Sequence, residues 1–488
     1  MKKNLIFFLF TYLLGFLLFF PGLFNFYSHD DFFHYRIAEA NSLKEFISFF
    51  DLTNAPFGWG YYRPLTTQVL YFLGRTVFNF NPIIMHLVAF LMFFIVVFLV
   101  FKLILALSKN NLIAYLGTLF YATSAAHFSH LYSIANQELG HAIFFLSSIL
   151  AFIKFLEKKK LKYYFLSLLT FMIALTCKEF ALMLPIVLVL VYFYLIARKE
   201  IKTSFKWFVL SILSFGLVLS VYLYLHVFNY GLVEGDSYIW DFSPIKALNT
   251  LGWYGLWSLS LPKMLAGFDF ISSGFSFNLS LFKSWPREVI LALFLFLVFL
   301  VLLLINLIIS LFNKLNRKEM ILVGFSLIWF SLTLLPVLFL PWHKFTTYLT
   351  IPMIGTATII GYLLSKSYSR LLIILTFAVY VSLSAITLEI TRRVDWISTG
   401  PRTAKKVYQY LMENYSGREE KMIIVFFDTE EDRQLLLLPS NEVKLALSGD
   451  NFFAVFFPNE IKANYGEEAD PLLKDEVIRL PARQFVEF

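Results

Sequence analysis

The chain has 488 residues, 59% hydrophobic, 19% aromatic and only 15% charged, where a soluble domain carries about 25% charge. With a mean hydropathy of +0.70, this excludes an ordinary soluble enzyme. The net charge is +8, but the first 390 residues hold 28 Lys/Arg against 16 Asp/Glu, and the last 98 hold 13 against 17.

Much of the basic excess lies in short loops between apolar runs, so it reads as a topology signal and not as a nucleic-acid surface. The one cysteine, Cys177, excludes an intramolecular disulfide framework and a cysteine-rich metal site. Met1-Lys2-Lys3 precedes an apolar run from Leu5 to about Phe24. That run is long enough to span roughly 30 Å of hydrocarbon and has no small-residue cleavage site after it. It is expected to be a retained first span. Further apolar runs follow at 83–107, 111–127, 138–156, 162–177, 179–197, 206–228, 288–312, 319–340, 345–365 and 370–388, eleven in all. With the N-terminus in the cytoplasm, six short inner segments hold 18 basic residues and the outer segments hold 10. The positive-inside rule favours that orientation. An odd number of spans then puts the C-terminal tail on the extracytoplasmic side of the cell membrane.

Two outer loops are long, about 25–82 and 229–287, and too aromatic to be disordered. Leu43–Phe50 and Thr66–Phe78 are predicted to form short amphipathic helices at the membrane surface. From Thr391 the composition changes. Thr403–Tyr415 has a helical pattern with Val407, Tyr410 and Leu411 on one face. Strand-like runs follow at Met422–Phe427, Gln434–Leu438, Val443–Leu447, Phe452–Phe457 and Val477–Leu480, punctuated by prolines. The expected fold is mainly α: a transmembrane helical bundle over 1–390, then a small extracytoplasmic α/β domain over 391–488.

The ionisable clusters that are not inner-loop anchors all fall on the predicted outer side. Ser28-His29-Asp30-Asp31 follows the first span. Ser28 and Asp31 match a capping box, in which both only satisfy backbone groups. Asp30 is left free by that arrangement, and His34, four residues on, shares its helix face. An aspartate beside an imidazole can act as a base. Two aspartates and two histidines could also hold a divalent cation at Asp30 and Asp31. Tyr62-Arg63 closes the same loop, and Arg63 could grip a phosphate. His127 and His130, with Glu138 nearby, mark the next outer turn. Lys178-Glu179 lies between two apolar runs, where charges should pair or serve function. His343-Lys344 lies in another outer turn, before Tyr348. One carboxylate base facing several cations would suit an anionic leaving group.

In the order Asp30-Asp31, Tyr62-Arg63-Pro64-Leu65, His127-x-x-His130, Lys178-Glu179 with Pro185, and Tyr348 to Pro352, the chain resembles C-type (GT-C) membrane glycosyltransferases. It is most similar to their protein O-mannosyltransferase branch. Some places differ: Phe128 follows the first His where the family often has Pro, and Thr347 stands where an Arg often precedes the Tyr. The resemblance implies a polyprenyl-phosphate sugar donor with its tail in the membrane lipid, and a protein, glycan or lipid acceptor. It implies Asp30 as base assisted by Asp31, and Arg63, Lys178, His343 or Lys344 on the donor phosphate. Tyr62, His34, His127, His130, Glu138 and Glu179 would serve substrate binding. The rival readings are a lipid transporter or flippase, for which no internal repeat is visible, and a non-catalytic membrane assembly protein.

Overall fold

A computed structural model describes residues 2–488 except 136, 202–204, 232–234, 236–237, 267–277, 279, 313–315, 368, 416–421, 436, 459–460, 467–475 and 487–488. Its first helix is α1 (Lys2–Phe19), continued by a 3-10 turn, Phe20–Phe24. The next loop folds into α2 (Asp30–Ile37), α3 (Leu43–Ser48), a π-turn at Leu65–Val69 and α4 (Leu70–Thr76). Both segments expected to be short helices in this loop are helical, and the second is largely buried, with Thr66, Thr67 and Tyr71 inside. Then come α5 (Pro82–Ser108), α6 (Asn111–Ala122), α7 (Phe128–Tyr132), α8 (Gln137–Lys158), α9 (Leu161–Leu175), α10 (Leu184–Ala197) and α11 (Phe205–Tyr230). The second half carries α12 (Pro244–Ser258), α13 (Ser280–Ser284), α14 (Pro286–Phe312), α15 (Arg317–Thr333), α16 (Leu335–Leu338), α17 (Met353–Ser365) and α18 (Arg370–Val394).

Each of the eleven apolar runs contains a helix. Among the described residues, seven helices are long and apolar enough to cross a membrane: Lys3–Phe24, Pro82–Ser108, Gln137–Lys158, Glu179–Ala197, Phe205–Tyr230, Pro286–Phe312 and Arg370–Val394. Three are apolar but shorter: Asn111–Ala122, Leu161–Leu175 and Met353–Ser365. Long apolar flanks at Leu217, Leu297 and Leu304 remain exposed, as lipid-facing surfaces require. Pairs α8–α9, α6–α17, α14–α18 and α5–α8 make the main contacts of the bundle. The α6–α17 pair is close because both sides are small. A Cβ on Gly361 would lie 2.6 Å from the Ile113 carbonyl oxygen and 2.8 Å from the Gly117 nitrogen, the small-residue packing common between membrane helices.

After α18 the chain turns at Asp395 into α19 (Trp396–Tyr415), then β1 (Met422–Phe427), α20 (Pro439–Ala446), α21 (Asn451–Phe456), β2 (Ile461–Tyr465) and β3 (Glu476–Pro481). The strands form a parallel sheet in the order β2-β1-β3. Two strand expectations are corrected here. Val443–Leu447 lies mostly in α20 and Phe452–Phe457 in α21. Both segments bury apolar side chains at helical spacing, Val443 with Leu447 and Phe453 with Phe457. Gln434–Leu438 pairs with no strand among the described residues. Strand β2, whose Ile461 and Ala463 are buried on either side of the exposed Lys462, was not expected.

A second hydrophobic core joins this region to the first long loop. Tyr27, Phe32, Tyr35 and Tyr71 belong to it together with Val407, Leu411, Phe452 and Phe453. The ring of Phe32 meets Phe452 edge-on at 5.1 Å, and the His29 N–H donates to the Ala446 carbonyl at 2.9 Å.

Candidate functional site

Helix α2 is fixed from three sides. Asp31, buried, accepts a hydrogen bond from the Ser28 N–H at 3.0 Å and another from the Tyr71 hydroxyl. Tyr35 donates to the Tyr27 hydroxyl at 2.9 Å. His34 is buried with its ring 5.0 Å from Tyr71 and 5.5 Å from Trp59. His29 precedes the helix at φ 53° and ψ −126°, a conformation that costs a non-glycine residue on the order of 1–3 kcal/mol. Its ring is held 4.6 Å from Trp396, edge-on, and lies against Gly400, where a Cβ would clash with its Nε2 at 2.2 Å.

These constraints leave Asp30 at the first turn of α2, exposed into a cavity of about 230 Å³. Asp30 makes no hydrogen bond or ion pair among the described residues. The protein crowded around the carboxyl partly desolvates it and raises it above its ordinary value, with the Arg63 charge pulling the other way. Burial raises Asp31 to about 7, against the opposing bonds from Tyr71 and Ser28. Burial lowers His34 to about 3 and His29 to about 4, so both rings are neutral near pH 7.

Opposite Asp30 stand Arg63 and Lys178. The loop before the π-turn docks on the end of α9 through Leu65 N–H to the Thr176 carbonyl at 3.1 Å and the Thr66 hydroxyl to the Cys177 carbonyl at 2.7 Å. Arg63 grips Glu179 with two nitrogens, Nε at 2.8 Å from Oε2, and its guanidinium lies 4.1 Å from the Tyr61 ring centre. Lys178 pairs with Glu138 and sits 4.8 Å over Tyr348, which stacks on Phe180 at 5.0 Å. The charges that composition marked as needing partners thus have them. The Nε2 of His343 and the Tyr348 hydroxyl share a hydrogen bond at 2.7 Å. Burial lowers His343 to about 4.

The structure therefore brings Asp30, Asp31, Arg63, His130, Glu138, Lys178 and His343 to one cavity, with Glu179 behind Arg63. It does not bring Lys344, which lines a neighbouring cavity. His34 lies behind Asp31. His127 is buried against Phe93 and shares a hydrogen bond with the Tyr121 carbonyl at 2.9 Å. Tyr62 turns away, donates to the Phe50 carbonyl at 3.0 Å and lines an apolar groove. Among the described residues no three His, Cys, Asp or Glu side chains gather as a metal-binding group. Asp31 is committed to Ser28 and Tyr71, and the two histidines to aromatic neighbours. Sequence reasoning missed Tyr238 and Trp396. Trp396 lies beyond the composition break at 391 and carried no signal of a role in the first region.

Residues 63–224, about one third of the chain, match the family model described as dolichyl-phosphate-mannose-protein mannosyltransferase. The match contains Arg63, His130, Glu138, Lys178 and Glu179, while Asp30 and His343 lie outside it. No curated protein matches the chain. Taken with the membrane-length helices, the match describes a multi-pass membrane chain that is similar over residues 63–224 to the dolichyl-phosphate-mannose-protein mannosyltransferases, a GT-C family.

Proposed function

We propose that the chain moves a sugar from a polyprenyl-phosphate donor to an acceptor hydroxyl on a protein, a glycan or a lipid, at the extracytoplasmic face of the cell membrane. The N-terminus would lie in the cytoplasm and the C-terminal region outside. The observation that carries the reading is an unpaired carboxylate, Asp30, in one cavity with Arg63 and Lys178. Asp30 takes the proton of the acceptor hydroxyl. The acceptor oxygen bonds to the anomeric carbon as the bond from that carbon to the phosphate oxygen breaks, with inversion. The lipid phosphate leaves as an anion, stabilised by the guanidinium and ammonium groups. Asp31 holds the helix and does not take the proton.

An apolar groove of about 670 Å³ supports a lipid-linked donor. It is lined by Tyr62, Leu65, Met172, Ile173, Thr176 and Tyr222. Tyr62 and Thr176 are close neighbours in sequence of Arg63 and Lys178. A chain of isoprene units in this groove would bring its phosphate to the two cations.

The test uses purified protein with a labelled polyprenyl-phosphate sugar. Asp30→Asn is expected to reduce transfer by at least about 10²-fold, the scale of a lost general base, with unchanged melting behaviour. Near-normal transfer in that variant would remove Asp30 from this role.

A further inference from the structure

A second cavity of about 340 Å³ adjoins the first, and His29, Phe345 and Trp396 line both. One wall comes from the bundle through Trp257, Lys263 and Lys344, the other from the C-terminal region through Thr403, Glu442 and Leu445. Lys263 is paired with Asp395. Lys344, only 8% exposed, has no hydrogen-bond or ion-pair partner among the described residues. The indole N–H of Trp257, a residue 2% exposed, is also buried without an acceptor. A buried unpaired ammonium and a buried unpaired N–H each carry a desolvation cost that a ligand oxygen would offset. Glu442, half-buried on α20, adds one acceptor for hydroxyl groups.

We propose that this second cavity is the acceptor subsite, and that it takes a sugar carrying an anionic group, with the anion on Lys344 and Trp257 and sugar hydroxyls toward Glu442. The assignment to the acceptor rests on the transfer reaction proposed for Asp30; the binding chemistry does not. The shared wall of His29 and Trp396 lets one acceptor reach from Lys344 to the Asp30 cavity. Burial lowers the Lys344 ammonium from its ordinary value, the direction expected of a cation held without a counter-ion. The C-terminal region thereby supplies half of a recognition site.

Isothermal titration on the purified full-length protein tests this with three probes: glucose 6-phosphate, glucuronate and glucose. The native protein should bind at least one anionic sugar at least about tenfold more tightly than glucose, the discrimination that one charged hydrogen bond supports. The two anionic probes separate a phosphate from a carboxylate ligand. Lys344→Gln should bring all three to the affinity of glucose, and Lys344→Arg should retain the preference, which guards against a folding defect. Asp30→Asn should bind as the native protein does, so a failed transfer reaction and a failed subsite give different results. Equal binding of all three probes by the native protein, or an undiminished preference in Lys344→Gln, overturns the proposal.

Discussion

Asp30 and Asp31 are neighbours in the chain with different surroundings, and pH separates them. Asp30 faces the cavity and its carboxyl is raised by burial and lowered by Arg63. As pH falls through its raised pKa it gains a proton and can no longer accept one from the acceptor. The acid limb of kcat/KM is therefore expected above the ordinary carboxylate value of about 3.9. Arg63→Gln removes the opposing charge, so the limb should move to higher pH; an unmoved limb would count against Asp30 as the titrating group. Asp31 is committed to Ser28 and Tyr71 and rises from 3.8 to about 7 on folding. Between those values the folded state binds more protons than the unfolded chain, so this contribution to stability falls as pH rises from about 4 to about 7. His29 and His34 are lowered and contribute in the opposite sense over part of the same range. Comparing melting temperatures of the native protein and Asp31→Asn isolates the falling component, because the histidine contributions are common to both. The capping pattern in the sequence already separated the two residues, since it occupied Asp31 and left Asp30 free. It could not show Tyr71 as the second partner, because that contact crosses 40 positions of chain.

Three helices that stop short adjoin the site. Helices α6, α9 and α17 have 12, 15 and 13 residues, and at 1.5 Å per residue they reach only about 18–23 Å, less than a bilayer core of about 30 Å. Beyond α6 come His127 and His130; beyond α9 come Lys178 and Glu179; before α17 come His343 and Tyr348. Irregular backbone at membrane depth is tolerated where it lines a cavity, and these breaks supply the wall facing Asp30. The apolar runs were legible because their hydropathy is local. Their helical lengths were not, since Thr123–Ala126 and Thr346–Leu349 hold no charge, proline or glycine that would mark a break. The same ambiguity explains Val443–Leu447 and Phe452–Phe457: short apolar runs suit either a strand or a helix, and long-range packing decided. Close packing of α6 on α17 holds the breaks in place. Gly361→Leu should cost about 1–3 kcal/mol from overpacking and lower the melting temperature. It should also reduce transfer, because α17 carries the Tyr348 segment at its N-terminal end; a variant that melts like the native protein would show that the helices can separate freely.

At the scale of the molecule, the composition break at 391 marks a change of environment, and the core crosses it. The sequence suggested a separate tail because its charge and strand patterning differ from the first region. What patterning cannot reveal is that Phe32 packs on Phe452, that Trp396 flanks both cavities, and that Ala446 accepts from the strained His29. These contacts make the C-terminal region a brace for the helix that presents Asp30. Phe452→Ala distinguishes a brace from an independent module. Phe452 is fully buried, and truncating such a ring costs about 3–5 kcal/mol. If the region were only tethered, this loss would loosen the tail to protease and leave transfer intact. As a brace, it also frees α2, so protease sensitivity and loss of transfer should appear together, with the membrane helices still folded. If Asp30 on α2 is the base proposed above, the loss should fall on kcat more than on the KM for the donor. A variant with a protease-sensitive tail and native kcat would separate the C-terminal region from the catalytic geometry.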